Sequence, residues 1–307
     1  MNTRRPSISV GLPVYNGERF LREALDSILA QTFEDFELII SDNASTDGTA
    51  QICKDYAAKD PRIRYFRNDI NLGASKNFNR VFELSSGEYF KWMSADDKCA
   101  STFLEKCKEV LDRHPEVVLC YPKTNIIDEF GRIIRQHEDR LDLRFPRARD
   151  RFYQLFLRLS LSNAMFGLIR SDLLSKTSLL GNYIASDIVL LAELTLYGQF
   201  FELPEYLFFR RIHPQAASSD PSVQRQQAHY DPKTVGNISL TSWKHLIEHF
   251  RSIKRAPLDF VEKFYLILTV LKLTRWDARQ LILELIQALQ ILKKRLFHSL
   301  KKNLILG

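Results

Sequence analysis

The feature that most constrains the fold is a regular alternation of short apolar runs and amphipathic segments in the first half of the chain. Three of the apolar runs, ISVGLPV (8–14), FELIIS (36–41) and EYFKWMS (88–94), have the length and composition of buried strands. The segment GERFLREALDSILAQ (17–31), which follows the first run, places its apolar residues on one side of a helix. This alternation is typical of an α/β fold, in which helices flank a mostly parallel central sheet.

The alternation weakens after Gly131, and the charged, irregular stretch 135–150 predicts an exposed loop. A leucine-rich helix is predicted at SDIVLLAELTLYG (186–198). The next segment, QFFELPEYLFFRRIH (199–213), predicts a final pair of strands separated by Pro204.

The polar segment 214–233 contains several residues that interrupt regular structure, and it predicts a domain boundary. We therefore expect an α/β domain over 1–220 and a helical extension over 221–307. The formal charge of +7 comes from the extension, because residues 241–307 carry 13 Lys and Arg against 5 Asp and Glu, and the rest of the chain carries 31 against 32. A near-neutral main domain argues against a duplex-binding face, so no nucleic-acid partner is expected.

The extension has helical periodicity with basic residues on its polar side. One placement for it is the interface of an anionic membrane, which attracts each nearby cation by about 1 kcal/mol. Packing on the main domain, or on a second copy in a homodimer, is the other placement, and both remain open at this stage. The longest uncharged run, FYLILTVL (264–271), is far shorter than the roughly 20 residues that cross a bilayer, so no transmembrane helix is expected.

The cysteines show no pairing pattern of a zinc site or a disulfide framework, since none is part of a CxxC pair. They are Cys53, Cys99, Cys107 and Cys120. The opening residues MNTRRPSISV lead directly into a strand and lack an apolar stretch of signal-peptide length. We therefore expect a reducing, cytoplasmic location.

Acidic residues follow the predicted strands at the edge where open parallel sheets bind ligands. They are Asp42 after FELIIS, the adjacent Asp96 and Asp97 after EYFKWMS, and Asp187 at the start of a helix. Two neighbouring carboxylates repel each other unless a positive charge lies close to them. Hard oxygen ligands suit Mg²⁺ or Mn²⁺, so these residues predict a metal-dependent site.

Four motifs occur in an order and spacing that resemble family 2 glycosyltransferases: PVYN (13–16), DNASTDGT (42–49), NLGASKNFN (71–79) and SADD (94–97). The resemblance extends over about Pro6–Ser219. It implies a GT-A fold and the inverting transfer of one sugar from a nucleotide-diphosphate sugar, with UDP as the nucleotide of the family pattern. It also implies a divalent cation, Mn²⁺ or Mg²⁺. The implied acceptor is a hydroxyl of a saccharide or of a lipid-linked molecule, in the synthesis of cell-surface polysaccharide or glycolipid.

The resemblance also implies roles for individual residues. Asp97 would contact the cation on the diphosphate, Asp96 would face the ribose, and His213 would bind the metal or a phosphate oxygen. Asp187 would be the general base that removes the acceptor proton, a contribution of about 10² to 10⁴ in rate. The remaining candidates would contact the nucleotide sugar: Pro13, Tyr15, Asp42, Asn71, Lys76 and Arg211.

The chain departs from the family pattern at three positions. The family usually carries a second acid after Asp42 and an acid before Asp187, whereas this chain has Asn43 and Ser186. The first departure weakens the assignment of the base as uracil. Processive synthases of the family carry a Gln-x-x-Arg-Trp motif. This chain has Lys272 where the Gln would stand before LTRW (273–276), which favours a single-addition enzyme.

Other interpretations compete with this one. Asp96 and Asp97 could cap a helix that begins near Ser101, and Asp187 could cap its own helix. A sugar nucleotidyltransferase needs a basic, glycine-rich loop after the first strand, and GLPVYNGERF (11–20) does not match it. A dinucleotide oxidoreductase would show G-x-G-x-x-G after a strand, which is absent. A non-catalytic nucleotide-sugar-binding protein on the same scaffold remains open.

Overall fold

The computed structural model describes residues 5–216, 229–230 and 240–305, apart from the side chains of 276, 277 and 294–305. The domain boundary predicted near residue 220 lies outside the described residues. The strands are β1 Ile8–Val14, β2 Phe36–Asp42, β3 Ile63–Arg67, β4 Tyr89–Trp92, β5 Lys98–Cys99, β6 Val117–Ile127, β7 Ile133–His137, β8 Leu168–Arg170 and β9 Gln199–Arg211. The helices are α1 Leu21–Leu29, α2 Thr49–Ala57, α3 Ala74–Glu83, α4 Phe103–Arg113, α5 Ala148–Arg158, α6 Ser171–Leu174, α7 Ser186–Tyr197, α8 Thr241–Arg255 and α9 Phe260–Ile305, with a 3-10 turn at Asn163–Phe166.

The described strands form one mixed sheet in the order β3-β2-β1-β4-β8-β6-β9-β5, with β7 paired to the side of β6. The first four strands in this order are parallel, as are β6 and β9. β8 is antiparallel to both of its neighbours, and β5 and β7 also pair in antiparallel fashion. The predicted α/β class with a largely parallel sheet is therefore confirmed. Every residue of β1, β2 and β4 is buried, which explains why these strands are continuous apolar runs in the sequence.

Helices cover both faces of the sheet and give two apolar layers. Successive residues of β4 show the separation, because Tyr89 belongs to one layer and Phe90 to the other. The first layer contains α1, α2 and α4 through Leu25, Ile52 and Leu104. The second contains α3, α5, α7, α8 and α9 through Val81, Leu155, Leu190, Ile253 and Leu266.

The helical extension packs on the main domain. Arg255 of α8 forms an ion pair of 2.9 Å with Glu193 of α7, whose carboxylate is fully buried. Ser242 of α8 donates its backbone N–H and its hydroxyl to Glu284 of α9, which joins the two helices. Of the two placements that the sequence left open, packing is therefore observed for α8 and the first part of α9. None of the described helices is both long enough and apolar enough to cross a bilayer.

Two local predictions are wrong. Residues 199–211 form one strand, because Pro122 pairs with Leu203 and Lys123 with Tyr206, so that Pro204 lies in a bulge where its missing N–H costs no ladder bond. The stretch 135–150 is only partly a loop, since it contains the end of β7 and the start of α5. α4 begins at Phe103, and its cap residue Thr102 makes no side-chain capping bond.

Candidate active site

The predicted motifs meet at one edge of the sheet. β1 lies between β2 and β4, so the carboxyl ends of these strands are neighbours, and Val14 pairs with Asp42. Pro13 is buried within β1, whereas the ring of Tyr15 just beyond the strand is 49% exposed. The acid turn (Ser94–Asp97) follows β4 at the same edge. Ligands bind at this edge in open α/β sheets.

Asp42 lies at this edge with its carboxylate already bonded within the protein. Oδ1 accepts the backbone N–H of Ser45 at 2.8 Å, and Oδ2 accepts a guanidinium N–H of Arg67 at 2.6 Å and the hydroxyl of Tyr65 at 3.1 Å. The side chain is fully buried. Burial, followed by the charge of Asp42, raises the pKa of Tyr65 to about 12. The contact predicted between Asp42 and the base stays a prediction.

Asn43 organises the loop before α3, which gives a local reason for the missing second acid. Its amide donates to Oδ1 of Asn71 at 2.9 Å and to the carbonyl of Gly73 at 3.3 Å, bonds that an aspartate could not donate. Its oxygen accepts from Asn68 at 3.0 Å. Asn71 is thus half-buried in this network, while Lys76 in the first turn of α3 is exposed.

The acid turn holds its two carboxylates in different surroundings. Asp96 accepts a hydrogen bond from Ser94 and lies 3.1 Å from Nε2 of His213; although burial opposes it, these bonds keep the pKa of Asp96 below its usual value. Asp97 is 4% exposed and accepts the backbone N–H of Arg211 at 2.8 Å. Burial, together with the charge of Asp96, raises the pKa of Asp97 to about 8. The two acids therefore do not behave alike, and neither caps α4.

Arg211 lies beneath the acid turn, with a fully buried side chain. Its guanidinium donates to the carbonyl of Asp96 at 2.8 Å and to the carbonyls of Asp128 and Glu129 at 3.2 Å, and it pairs with Glu23 at 2.9 Å. These bonds hold the shape of the turn. The predicted contact of Arg211 with the diphosphate stays a prediction, and most of its donors already have acceptors in the protein.

His213 is 8% exposed and lies against the ring of Phe20, with 4.7 Å between ring centroids. Nε2 faces Asp96, and Nδ1 lies 3.3 Å from the side-chain oxygen of Gln215. The hydrogen bond with Asp96 raises the pKa of His213. His213 therefore lies beside the acid turn as predicted, although its role as a metal ligand stays a prediction.

The side chains near the acid turn fit the divalent cation that the resemblance implies, if the substrate supplies part of its ligands. No group of three or more His, Cys, Asp or Glu side chains converges as a metal cage in the described part of the chain. Mg²⁺, however, is usually held by one or two carboxylates together with substrate phosphates rather than by an all-protein cage. Asp97 is a buried carboxylate whose hydrogen-bonding capacity is largely unused by the described residues, and it fits such a shared site.

Asp187 lies in the first turn of α7, directly after the chain passes through Ala185 at a φ of 60°. Burial raises the pKa of Asp187, while the neighbouring Ser162 side chain and the charge of His245 on α8 oppose the rise. A carboxylate with a raised pKa is a stronger base than an exposed one, as general-base chemistry requires. Glu193, the other acid of α7, is instead fully buried and bonded to Arg255 and Ser178.

The charges of Asp96 and Asp187 act on two adjacent residues, His229 and Tyr230. His229 and Tyr230 have ring centroids 5.5 Å apart. Burial lowers the pKa of His229 against the opposing charge of Asp96, and burial together with the charge of Asp187 raises the pKa of Tyr230 to about 12. The carboxylates of Asp96 and Asp187 are therefore both near enough to this residue pair to affect its pKa values.

Several residues of the site were missed by sequence reasoning. Arg210 donates to Oδ1 of Asn163 at 2.8 Å, which links the end of β9 to the 3-10 turn. Its position next to Arg211 was a usable signal. Arg67 and Ser162 belong to no motif, and only the strand register and the 3-10 turn bring them to Asp42 and Asp187.

Comparison with known proteins gives consistent matches. The family model described as Glycosyl transferase family 2 matches residues 9–174. The putative glycosyltransferase EpsE of Bacillus subtilis is 36% identical over 127 residues, which cover 41% of this chain and 46% of that protein. An uncharacterized glycosyltransferase of Haemophilus influenzae is 25% identical over 94% of this chain and 96% of its own length. The chain matches less than half of the length of the first curated relatives.

Two solved structures share the fold. TarS 1-349 of S. aureus, determined in complex with UDP-GlcNAc, superimposes with a TM-score of 0.65 and 20% identity over 86% of this chain and 71% of that chain. The mannosyltransferase PcManGT of Pyrobaculum calidifontis, in complex with GDP-Man and Mn²⁺, gives a TM-score of 0.52 and 16% identity over 94% and 88% of the two chains. At these identities the likeness concerns the fold.

Proposed function

Because the chain belongs to glycosyltransferase family 2, whose model matches more than half of it, we propose that it is a metal-dependent inverting glycosyltransferase. It would transfer a single sugar from a UDP-sugar to a hydroxyl of a saccharide or lipid-linked acceptor, in cell-surface polysaccharide or glycolipid synthesis. The observation that carries the proposal is the buried, sparingly bonded carboxylate of Asp97 at the ligand-binding edge of the sheet. The UDP-GlcNAc complex of TarS supports the choice of nucleotide, and the Mn²⁺ complex of PcManGT supports the cation.

The residues of the site have distinct tasks in this proposal. Asp97 would hold Mn²⁺ or Mg²⁺, with His213 beside it, and the bound cation would supply positive charge to neutralise the departing diphosphate. Asp96 faces the ribose. The remaining residues form the nucleotide pocket. Pro13 and Tyr15 lie beside the nucleobase, Asp42 lies at the end of β2, and Asn71 lies in the loop before α3. Lys76 and Arg211 supply positive charge.

Asp187 acts on the acceptor. Its carboxylate takes the proton of the acceptor hydroxyl while that oxygen attacks the anomeric carbon, and the bond from this carbon to the diphosphate oxygen breaks on the opposite face. The nucleoside diphosphate leaves with the bonding electrons, and the configuration at the anomeric carbon is inverted. The raised pKa of Asp187 suits it to accept this proton.

Thermal-shift measurements with nucleotide sugars, each with and without Mn²⁺, test the donor assignment. A ligand at 100 times its dissociation constant stabilises a protein by about 2.7 kcal/mol, which such a screen resolves. We expect the largest shift for a UDP-sugar in the presence of Mn²⁺. Release of UDP that depends on acceptor would then establish transfer, whereas binding without transfer in all acceptor mixtures would favour the non-catalytic alternative.

We also propose that α9 contacts an anionic membrane surface from the cytoplasmic side. A row of exposed apolar residues lies along this helix in two groups with internal spacings of three and four, separated by 11 residues: Val261, Phe264, Leu268 and Leu271, and then Ile282, Leu285, Leu289 and Leu292. The exposed cations Lys272, Arg275, Arg279 and Lys293 accompany the row. In a homodimer formed through this row, these like charges would approach one another, whereas anionic lipid would attract them. The four buried, unpaired cysteines fit a reducing compartment.

Flotation with vesicles tests this placement. Phosphatidylglycerol-containing vesicles should bind the protein, neutral phosphatidylcholine vesicles should bind it weakly, and Leu268→Glu combined with Leu285→Glu should abolish binding. Light scattering provides the opposing outcome, since a stable dimer that these substitutions dissociate would assign the row to a second copy.

A further inference from the structure

Lys91 is a fully buried lysine in the middle of β4. Its Nζ donates to the carbonyl of Phe166 at 2.5 Å and to the carbonyl of Trp92 at 3.1 Å. Nζ also lies 4.2 Å from the ring centroid of Phe103 and 5.4 Å from that of Phe208. Burial lowers the pKa of Lys91 to about 8, so the amine remains mostly protonated at pH 7.

A buried ammonium of this kind is costly for stability. Its two hydrogen-bond acceptors are neutral carbonyls, and the charge of Asp97 offsets only part of the cost of burial, so hydrogen bonds and aromatic rings must largely replace water around the positive charge. An apolar side chain of similar volume is often neutral or stabilising at such a position. The stability of the fold therefore gives no reason for a lysine here. The reason must lie in the part of the structure to which Lys91 is hydrogen-bonded.

The bond to Phe166 holds the end of the 3-10 turn (Asn163–Phe166). The turn is closed by backbone bonds from Met165 to Ser162 and from Gly167 to Ala164. Gly167 passes so close to β6 that an added Cβ would lie 2.7 Å from the carbonyl oxygen of Cys120. The turn thus lies between β6 and the ammonium group, and Lys91 supplies the polar contact on one side of it.

The other end of the same segment reaches both candidate catalytic carboxylates. The side chain of Ser162, whose φ is 26°, lies beside Asp187 and lowers the pKa of that carboxyl against the effect of burial. Asn163 accepts the guanidinium N–H of Arg210 at 2.8 Å, and the backbone N–H of the next residue, Arg211, donates to Asp97 at 2.8 Å. One five-residue segment therefore lies beside Asp187 and is hydrogen-bonded to the strand whose last residue, Arg211, donates to Asp97.

We propose that Lys91 is a positioning residue, which fixes the segment 162–166 and thereby sets Asp187 relative to the acid turn. This inference rests on the proposed function of those two carboxylates. Inverting transfer needs the base and the leaving group on opposite faces of one carbon, and a displacement of about 1 Å can cost about 10²-fold in rate. The segment is therefore the element through which the donor side and the acceptor side of the site share one geometry.

The Lys91→Met variant tests the proposal, because it fills the space without donating a hydrogen bond. We expect kcat to fall at least about tenfold, with the dissociation constant of the donor changed less than about threefold and no loss of thermal stability. Cys107→Ala is the matched control, since it shortens a buried side chain of the same apolar layer and leaves the Lys91 bond to the segment 162–166 in place, and it should leave kcat unchanged. Normal turnover by Lys91→Met would overturn the proposal.

Asn163→Ala provides a second arm, which also serves if Lys91→Met fails to fold. We expect it to lower kcat with donor affinity retained, because it cuts the link to Arg210. If both residues act through the segment, the double variant should lose little more than the worse single variant. Fully additive losses would mean that the two residues act independently, and would contradict the proposal.

Hydrogen exchange gives a readout that does not require the proposed activity. In Lys91→Met, the backbone amides of Met165 and Gly167 should exchange faster than in the unaltered protein, while those of β1 and β2 should not change. Unchanged exchange at Met165 and Gly167 would overturn the positioning role even if the enzyme transfers sugar. Absence of transfer by the unaltered protein would instead refute the proposed function and leave the exchange result interpretable.

Discussion

Asp42 and Asp97 are both buried carboxylates at the same edge of the sheet, yet the chain surrounds them differently. Asp42 receives hydrogen bonds from Ser45, Tyr65 and the guanidinium of Arg67, so its charge is balanced within the protein. Within the part of the chain that the structure describes, Asp97 receives one backbone bond, and it lies beside another acid, which helps to raise its pKa. The difference teaches that burial alone does not identify a ligand for a cation. Unused hydrogen-bonding capacity facing a ligand crevice is the more specific sign.

The largest expected effect follows from removing the charge of Asp97. Asp97→Asn should reduce transfer to background and abolish the Mn²⁺ dependence of donor binding, because the carboxylate that would hold the cation is gone. Its thermal stability should be unchanged or higher, since burial already disfavours the charged form of Asp97 and the amide has no charge to bury. Asp42→Asn should do the opposite to stability and lower it, because Arg67 loses its buried partner. Metal-dependent donor binding that persists in Asp97→Asn would contradict the comparison.

The next effect concerns the base. Asp187→Asn should lower kcat by about 10² to 10⁴, the usual contribution of general-base catalysis, and should leave donor binding intact. Titration calorimetry with the donor and rate measurements at saturating acceptor separate the two quantities. Glu193→Gln, at the other acid of the same helix, is the control. It should lower the stability of the protein, because Arg255 loses its charged partner, and should leave the turnover per folded molecule unchanged. Normal turnover by Asp187→Asn would assign the base elsewhere.

The sequence predicted the position of the acids but not their partners, and the reason is physical. β1, β2 and β4 are buried on both faces, so they appear as apolar runs, and the residues that follow them must meet at one edge. The partner of Asp42 depends instead on the register of β2 and β3, which pairs it with Arg67. Register is a tertiary property that one strand's composition does not reveal.

The later part of the chain was predicted less well for related reasons. Pro204 was interpreted as a break between strands, but the bulge in β9 tolerates it. Ser162 and Asn163 carry no motif, and they reach the site because β8 inserts between β4 and β6 and carries the 3-10 turn with it. The packing of α8 on α7 depends on the buried pair of Glu193 and Arg255, which are far apart in sequence.

A smaller effect is expected from breaking the Asp42 pair from its cationic side. Arg67→Met should lower the free energy of unfolding by about 2 kcal/mol, because the Asp42 carboxylate loses its charged partner. Since the Arg67 side chain is 41% exposed, solvent screening keeps the loss below the value for a fully buried pair. Urea denaturation measures it, with Arg113→Met in an exposed pair as the control, for which less than about 0.5 kcal/mol is expected. Equal losses for both variants would remove the distinction between Asp42 and a surface acid.

The smallest effect concerns His249, a buried base with unused hydrogen-bonding capacity that faces no crevice. It lies among the rings of Phe152 and Phe156 with Nδ1 unbonded, and burial followed by the charge of His245 lowers the pKa of His249 from 6.5 to about 3. The unfolded chain therefore binds a proton near pH 6.5 that the folded protein refuses until about pH 3, so stability is lost as the pH falls through this range. Between pH 7 and 5.5 the loss should be about 1 kcal/mol, and His249→Leu should remove it from the urea-denaturation profile. An unchanged pH dependence in that variant would mean that the imidazole does not resist protonation. It would also weaken the inference drawn from Asp97, namely that a buried group with few hydrogen bonds indicates a binding site only when a ligand can reach it.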